Sequence, residues 1–146
     1  PSEMDESANV FQAATIANRV LGCVNAPSLM QRVIKRCVDA NVNLEAYDRN
    51  RNLLYNGLKE CGFSCIKPEG AFYVMMNMKG FLGKTMYGKV IESAQDFAQL
   101  FLEKGLVATV PCTAFAAPGF VRWSYATSLT EIDKGLDRLE AFIKNA

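Results

Sequence analysis

At 146 residues, half of them apolar and 21% charged, the chain fits one domain of ordinary size with room for one sizeable core, and its globular composition excludes a mainly disordered chain. Sixteen basic and fifteen acidic residues leave a net charge of +1, and their even mixing excludes the electrostatic footprint of a nucleic-acid or anionic-membrane partner. There is no histidine, so Ser-His and Cys-His catalysis are excluded and any chemistry rests on Lys, Arg, Asp, Glu, Tyr or a cofactor.

The apolar runs break well before the ~18 residues that a membrane helix needs, and no secretory or transit signal opens the chain. Cys23, Cys37, Cys61, Cys65 and Cys112 are odd in number and scattered among apolar neighbours, as expected of reduced core thiols in a cytoplasmic protein. One Cys-x3-Cys and no histidine make a zinc site improbable. A start at Pro1 rather than Met is what a chain cut from something longer would show, and processing or a tag scar would look the same.

Residues 1 to 26 open with Glu3, Asp5 and Glu6, acids where a helix dipole favours them. Val10, Ala13, Ala14, Ala17, Val20 and Leu21 then recur at helical spacing, and Gly22 can close the far end. Asn25-Ala26-Pro27 starts a second helix, with Asn25 or Ser28 near its cap and an apolar stripe of Leu29, Met30, Val33, Ile34, Cys37 and Val38. A third helix runs from about Leu44 to Cys61, with Tyr47, Leu54, Leu58 and Cys61 inward and Asp48, Arg49, Asn50 and Arg51 solvated. Gly62 stops it.

Phe63 to Ile66 and Ala71 to Met78 read as two strands of a hairpin around a Pro-and-Gly turn. Residues 79 to 92 hold three glycines and three lysines without a steady period and read as a flexible loop; they match neither phosphate-binding glycine pattern. Ser93 with Asp96 opens a helix that Gly105 ends, and Leu106 to Val110 is a third strand. Ser128 with Glu131 caps an amphipathic terminal helix carrying Ile132, Leu136, Leu139, Phe142 and Ile143. The order α-α-α-β-β-α-β-β-α predicts an α+β fold, a mostly antiparallel small sheet with helices packed on one side.

The fourth strand surrounds Arg122. Val121, Trp123 and Tyr125 are strand formers, and Pro111, Pro118 and Gly119 shape the loop before them. A guanidinium held on such backbone suits a carboxylate, because its fork gives two parallel charge-assisted hydrogen bonds. The plainer alternative is a surface arginine paired with an Asp or Glu. Alternation along the strand turns Trp123 to the opposite face.

Three runs together, Asn25-Ala26-Pro27 with Leu29-Met30-Gln31, Pro68-Glu69-Gly70-Ala71-Phe72-Tyr73, and Arg122-Trp123-Ser124-Tyr125-Ala126, resemble the C-terminal small domain of class I, fold type I pyridoxal-phosphate aminotransferases in order and spacing. The resemblance implies that the parent exchanges an amino group between an amino acid and a 2-oxo acid, uses pyridoxal 5'-phosphate, and acts as a cytoplasmic homodimer. It implies that Arg122 binds the substrate carboxylate, that Phe115 walls the pocket and that Asn25 belongs to the substrate site, with helix capping as the alternative for Asn25. It further implies that residues 1–26 connect toward a large domain and that residues 27–146 are the C-terminal domain. The family loop P-G-S-x-F-G is here Pro111-Cys112-Thr113-Ala114-Phe115-Ala116, which keeps Phe115 but not the glycines. In the family the Schiff-base lysine lies upstream of all three motifs, in an S-x-x-K-type segment followed by R-x-G, and none of the nine lysines here has that context. The catalytic lysine is therefore expected outside this chain, which alone should be inactive. A stand-alone α+β module that binds a carboxylate without catalysis, or a purely structural interaction domain, would be consistent with the residues themselves.

Overall fold

The computed structural model describes residues 3–22 and 24–146, with side chains described from residue 8 onward apart from Cys23. The expectations placed on Glu3, Asp5, Glu6 and Cys23 lie outside the described side chains. The chain divides into two compact units, 1–42 and 43–146.

The first unit holds helices α1 (Glu3–Val20) and α2 (Ser28–Cys37). Gly22 follows α1 at φ +83°, the left-handed conformation that a helix end favours in glycine. Neither Asn25 nor Ser28 caps α2 through its side chain. Pro27 occupies the cap position and Gln31 instead reaches back, donating from Nε2 to the Ala26 carbonyl at 2.8 Å.

The second unit opens with α3 (Leu44–Glu60), capped by the Asn43 side chain, which accepts from the Ala46 N–H. Strands β1 (Cys65–Ile66) and β2 (Tyr73–Asn77) follow as an antiparallel pair. The segment read as a flexible loop is instead built. A single 3-10 turn over Lys79–Phe81 leads into a hairpin of β3 (Thr85–Met86) and β4 (Lys89–Val90), with Met86 and Ile91 buried in the core. Tyr87 and Gly88 both have positive φ, the backbone of a type I′ turn. The cost of placing a tyrosine there is offset because its ring stacks on Phe142 at 5.3 Å and its hydroxyl donates to the Phe142 carbonyl at 3.0 Å. Two-residue strands carry too few alternating positions for a period to be seen in the sequence.

Helix α4 (Ala94–Leu100) starts at Ser93, whose hydroxyl accepts from the Asp96 N–H, and runs into a π-helical turn over Phe101–Gly105. Leu106 then adopts φ +55°, so the chain turns before it can extend. The third strand of the main sheet is consequently β5 (Val110–Pro111), shorter than the expected 106–110. Strand β6 (Phe120–Ser124) precedes α5 (Leu129–Lys144), where Ser128 caps the Glu131 N–H as expected.

The main sheet has the order β1-β2-β6-β5, all antiparallel. Val74, Met76, Val121 and Trp123 face inward with Leu54, Leu58, Phe97, Phe101, Leu139 and Phe142. Helices supply that cover, so the sheet is closed on one face, in agreement with the expected α+β arrangement. The other face carries Tyr73, Met75 and Asn77 from β2 and Phe120, Arg122 and Ser124 from β6, none of them fully buried.

Candidate functional site

Arg122 sits at the middle of β6, with Met75 opposite on β2 and Val110 opposite on β5. Being between two strands, its backbone has little freedom, and alternation sends its side chain to the open face while Val121 and Trp123 go inward. Trp123 packs on Phe101 with ring centroids 5.7 Å apart, as its place in the alternation predicts.

The guanidinium lies between two aromatic rings. Its Cζ is 4.2 Å from the centroid of Tyr73 and 4.7 Å from that of Phe115. Both distances are within cation–π range. The Nε atom is buried and has no hydrogen-bond partner, and none of the acidic residues forms an ion pair with Arg122 among the described residues. A buried N–H without a partner costs free energy, and the guanidinium carries the paired donors that suit a carboxylate.

Phe115 reaches the arginine from the loop. Residues Thr113–Phe115 form a 3-10 turn, closed by Phe115 and Ala117 amides donating to the Cys112 carbonyl, and Cys112 donates its own N–H to Phe120 O at 2.9 Å. Ala116 then takes φ +56°, a left-handed position where the resembling loop carries glycine. The loop retains the turn without its glycine, at the expense of a Cβ in that conformation. Cys112, at the other glycine position of that loop, is fully buried, and its thiol points to the Met75 sulfur at 3.5 Å. Burial pushes the Cys112 thiol up against the opposing pull of the Arg122 charge, which keeps it a protonated packing group and not a thiolate nucleophile.

Among the other thiols, Cys61 and Cys65 are half-buried and Cys37 is exposed. The expectation of core thiols therefore holds fully for Cys112 alone among the described cysteines, because the helix face bearing Cys37 lies open. Burial lifts Cys65 to about 11.

Two neighbours of the site escaped the sequence reading. Tyr73 ends the Pro68–Tyr73 run, and alternation along β2 puts it on the Arg122 face. Asn50 was read as solvated. Its side chain donates from Nδ2 to the carbonyls of Tyr125 (3.0 Å) and Thr127 (2.6 Å), tying α3 to the chain just beyond β6. No local pattern announces such a contact across 75 residues. Tyr125 itself is buried and donates its hydroxyl to the Ala71 carbonyl at 2.9 Å, while its N–H bonds Phe72 O. The start of β2 and the end of β6 are thus pinned to each other. Asn25 lies exposed between α1 and α2 in the first unit.

The closed-on-one-face antiparallel sheet is the arrangement of aminotransferase-like structures. A structure of aspartate aminotransferase from Rhizobium meliloti superimposes with a TM-score of 0.67 at 38% identity, covering 84% of this chain and 29% of that one. An aromatic aminotransferase from Pyrococcus horikoshii gives 0.60 at 34% identity over 68% of this chain and 25% of that chain. In sequence, the aspartate aminotransferase of Rhizobium meliloti strain 1021 is 44% identical over 99 residues, 66% of this chain and 24% of that protein. That of Thermotoga maritima is 31% identical over 130 residues, 89% of this chain and 31% of its own length. The family profile for aminotransferase class I and II matches residues 8–139. The chain belongs to the class I and II aminotransferase family and corresponds to a small-domain portion of it. It spans about a quarter of the length of the curated relatives it matches.

Proposed function

We propose that this chain is the C-terminal part of a pyridoxal-phosphate-dependent aminotransferase, and that Arg122 is its ligand for the substrate carboxylate. The parent would exchange an amino group between an amino acid and a 2-oxo acid, as a cytoplasmic homodimer. Residues 1–26 would connect to a large domain, and residues 27–146 would be the C-terminal domain. The observation that carries the reading is the guanidinium of Arg122, 4.2 Å from the Tyr73 ring centroid and 4.7 Å from that of Phe115, with a buried Nε left without a partner. Phe115 supports it by lying 4.7 Å from the guanidinium; for Asn25 a place in the substrate site rests on the resemblance alone.

In the parent, pyridoxal 5'-phosphate would supply the electron sink for chemistry at the substrate's α-carbon. All nine lysines of this chain are exposed, and an attachment amine works in a desolvating pocket. The residues here fit a carboxylate and do not fit the cofactor's attachment. What the chain contributes is therefore orientation. Two parallel N–H···O bonds from a guanidinium of fixed plane hold the carboxylate, and with it the α-carbon, in one attitude.

In the full-length parent, Arg122→Ala should weaken amino-acid binding by about 2–5 kcal/mol, as when one partner of a desolvated pair is removed. Arg122→Lys should also weaken it, since the fork is lost. Half-reaction kinetics on several amino acids are the measurement, and unchanged apparent affinity in both variants would take Arg122 out of the substrate site.

A further inference from the structure

We propose that Tyr73 is a positioning residue for Arg122, its ring acting as the fixed plate that sets the plane in which the guanidinium meets a carboxylate; this rests on the reading of Arg122 given above. The two rings that flank the cation are not equivalent. Tyr73 belongs to β2, paired along its whole length with β6, and stands opposite Ser124, two residues along from Arg122. A diagonal neighbour across a sheet is within reach of a long side chain, so Arg122 leans along the sheet and lies over the Tyr73 ring at 4.2 Å. The Tyr73 ring is in turn backed by Phe72, with centroids 4.4 Å apart. Phe115 comes from a loop, is 53% exposed and lies farther off, at 4.7 Å.

The difference has a consequence for recognition. A bidentate carboxylate contact tolerates only about 10–20° of misorientation, and a long arginine side chain on an open sheet face would otherwise sample many planes. The strand-borne ring removes that freedom before the ligand arrives. Because the contact is made by the ring face, the hydroxyl should be dispensable and the ring should not. Removing the ring should also matter little once the fork is gone, since lysine has no plane to set.

The test compares Tyr73→Phe and Tyr73→Leu, alone and combined with Arg122→Lys, in the full-length cofactor-loaded enzyme by half-reaction kinetics that separate apparent Kd from the limiting rate. Tyr73→Leu should raise the apparent Kd for the amino acid about 3- to 30-fold, the range of one partly desolvated cation–π contact, and Tyr73→Phe should stay within about twofold. In the Arg122→Lys background the Tyr73→Leu loss should shrink to near nothing. A second readout needs no turnover: in the 146-residue chain, the Arg122 Nε–H resonance should be displaced by ring currents in the wild type and Tyr73→Phe, and relax toward an exposed arginine's position in Tyr73→Leu. If Tyr73→Leu does not fold, Tyr73→Met gives the same comparison with an unbranched side chain. Unchanged Kd and unchanged resonance in the ring-less variant, while Arg122→Ala still weakens binding, would overturn the role of Tyr73 and leave that of Arg122 standing. An additive loss in the Arg122→Lys background would also overturn it, marking Tyr73 as ordinary packing.

Discussion

Helices α2 and α5 carry the same kind of pattern and meet opposite fates. Both are amphipathic, with apolar residues three and four apart, and in α5 that stripe is core: Ile132, Leu139 and Phe142 are buried against α3, α4 and the sheet. In α2 the equivalent residues Leu29, Met30, Val33 and Ile34 are all exposed, as is every described side chain from residue 8 to 42. Periodicity identifies the face of a helix that can be buried. It does not say whether anything within the chain covers it, because burial is a property of two surfaces and the pattern belongs to one.

Substitutions that treat the two helices alike break the comparison most directly. Phe142→Ala removes a ring that touches Tyr87, Phe97 and Phe101 and should cost about 3–5 kcal/mol in urea unfolding. Ile34→Ala in α2 should stay within about 0.5 kcal/mol, as for other exposed positions. Equal losses would mean that the α2 face is covered in solution.

A smaller effect comes from the polar tie of α3. Asn50→Ala leaves two carbonyls, of Tyr125 and Thr127, without their donor, and should destabilise by about 1–3 kcal/mol. Amide hydrogen exchange should rise at Tyr125 and Ala126 more than in the middle of α5. Uniform acceleration would instead mean that Asn50 supports the whole fold and not the end of the Arg122 strand.

The smallest expected effect is electrostatic, at the start of α5. The Glu131 carboxyl is held below its usual range, first by its hydrogen bond from Lys134 (2.8 Å) and then by that cation's charge. A depressed folded pKa means that the unfolded chain binds the proton more readily. The stabilisation is thus present above the ordinary glutamate pKa and is lost as pH falls through and below it. Both groups are exposed, so the effect is modest and salt-sensitive. Urea midpoints of wild type and Glu131→Gln, compared between neutral pH and strongly acidic solution, should converge on the acid side. A gap that persists there would assign the difference to something other than this charge.

Much of the candidate site was legible because its signals are local. Strand-forming neighbours placed Arg122 on a strand, alternation turned Trp123 away from it, and Phe115 kept its spacing in a loop whose glycines had changed. Tyr73 was readable by the same alternation once its strand was paired with β6. Asn50 was not, because a polar residue on a helix surface looks the same whether it meets water or a distant carbonyl.

The sequence by itself determined the elements whose cause is short-range: the Ser93 and Ser128 caps, the apolar stripes of α3 and α5, the alternation of β2 and β6, and an α+β class. Only the tertiary structure decided the rest. The 79–92 segment became a hairpin because Met86 and Ile91 found the core and Tyr87 found Phe142, contacts that offset a positive φ no local preference would choose for tyrosine. Arg122 came to lie between two rings, with its Nε buried, because strand pairing brought Tyr73 beside it and the Cys112–Ala117 turn folded Phe115 over it. Contacts of that kind join residues dozens of positions apart, and their free energy arises only when the chain closes those distances.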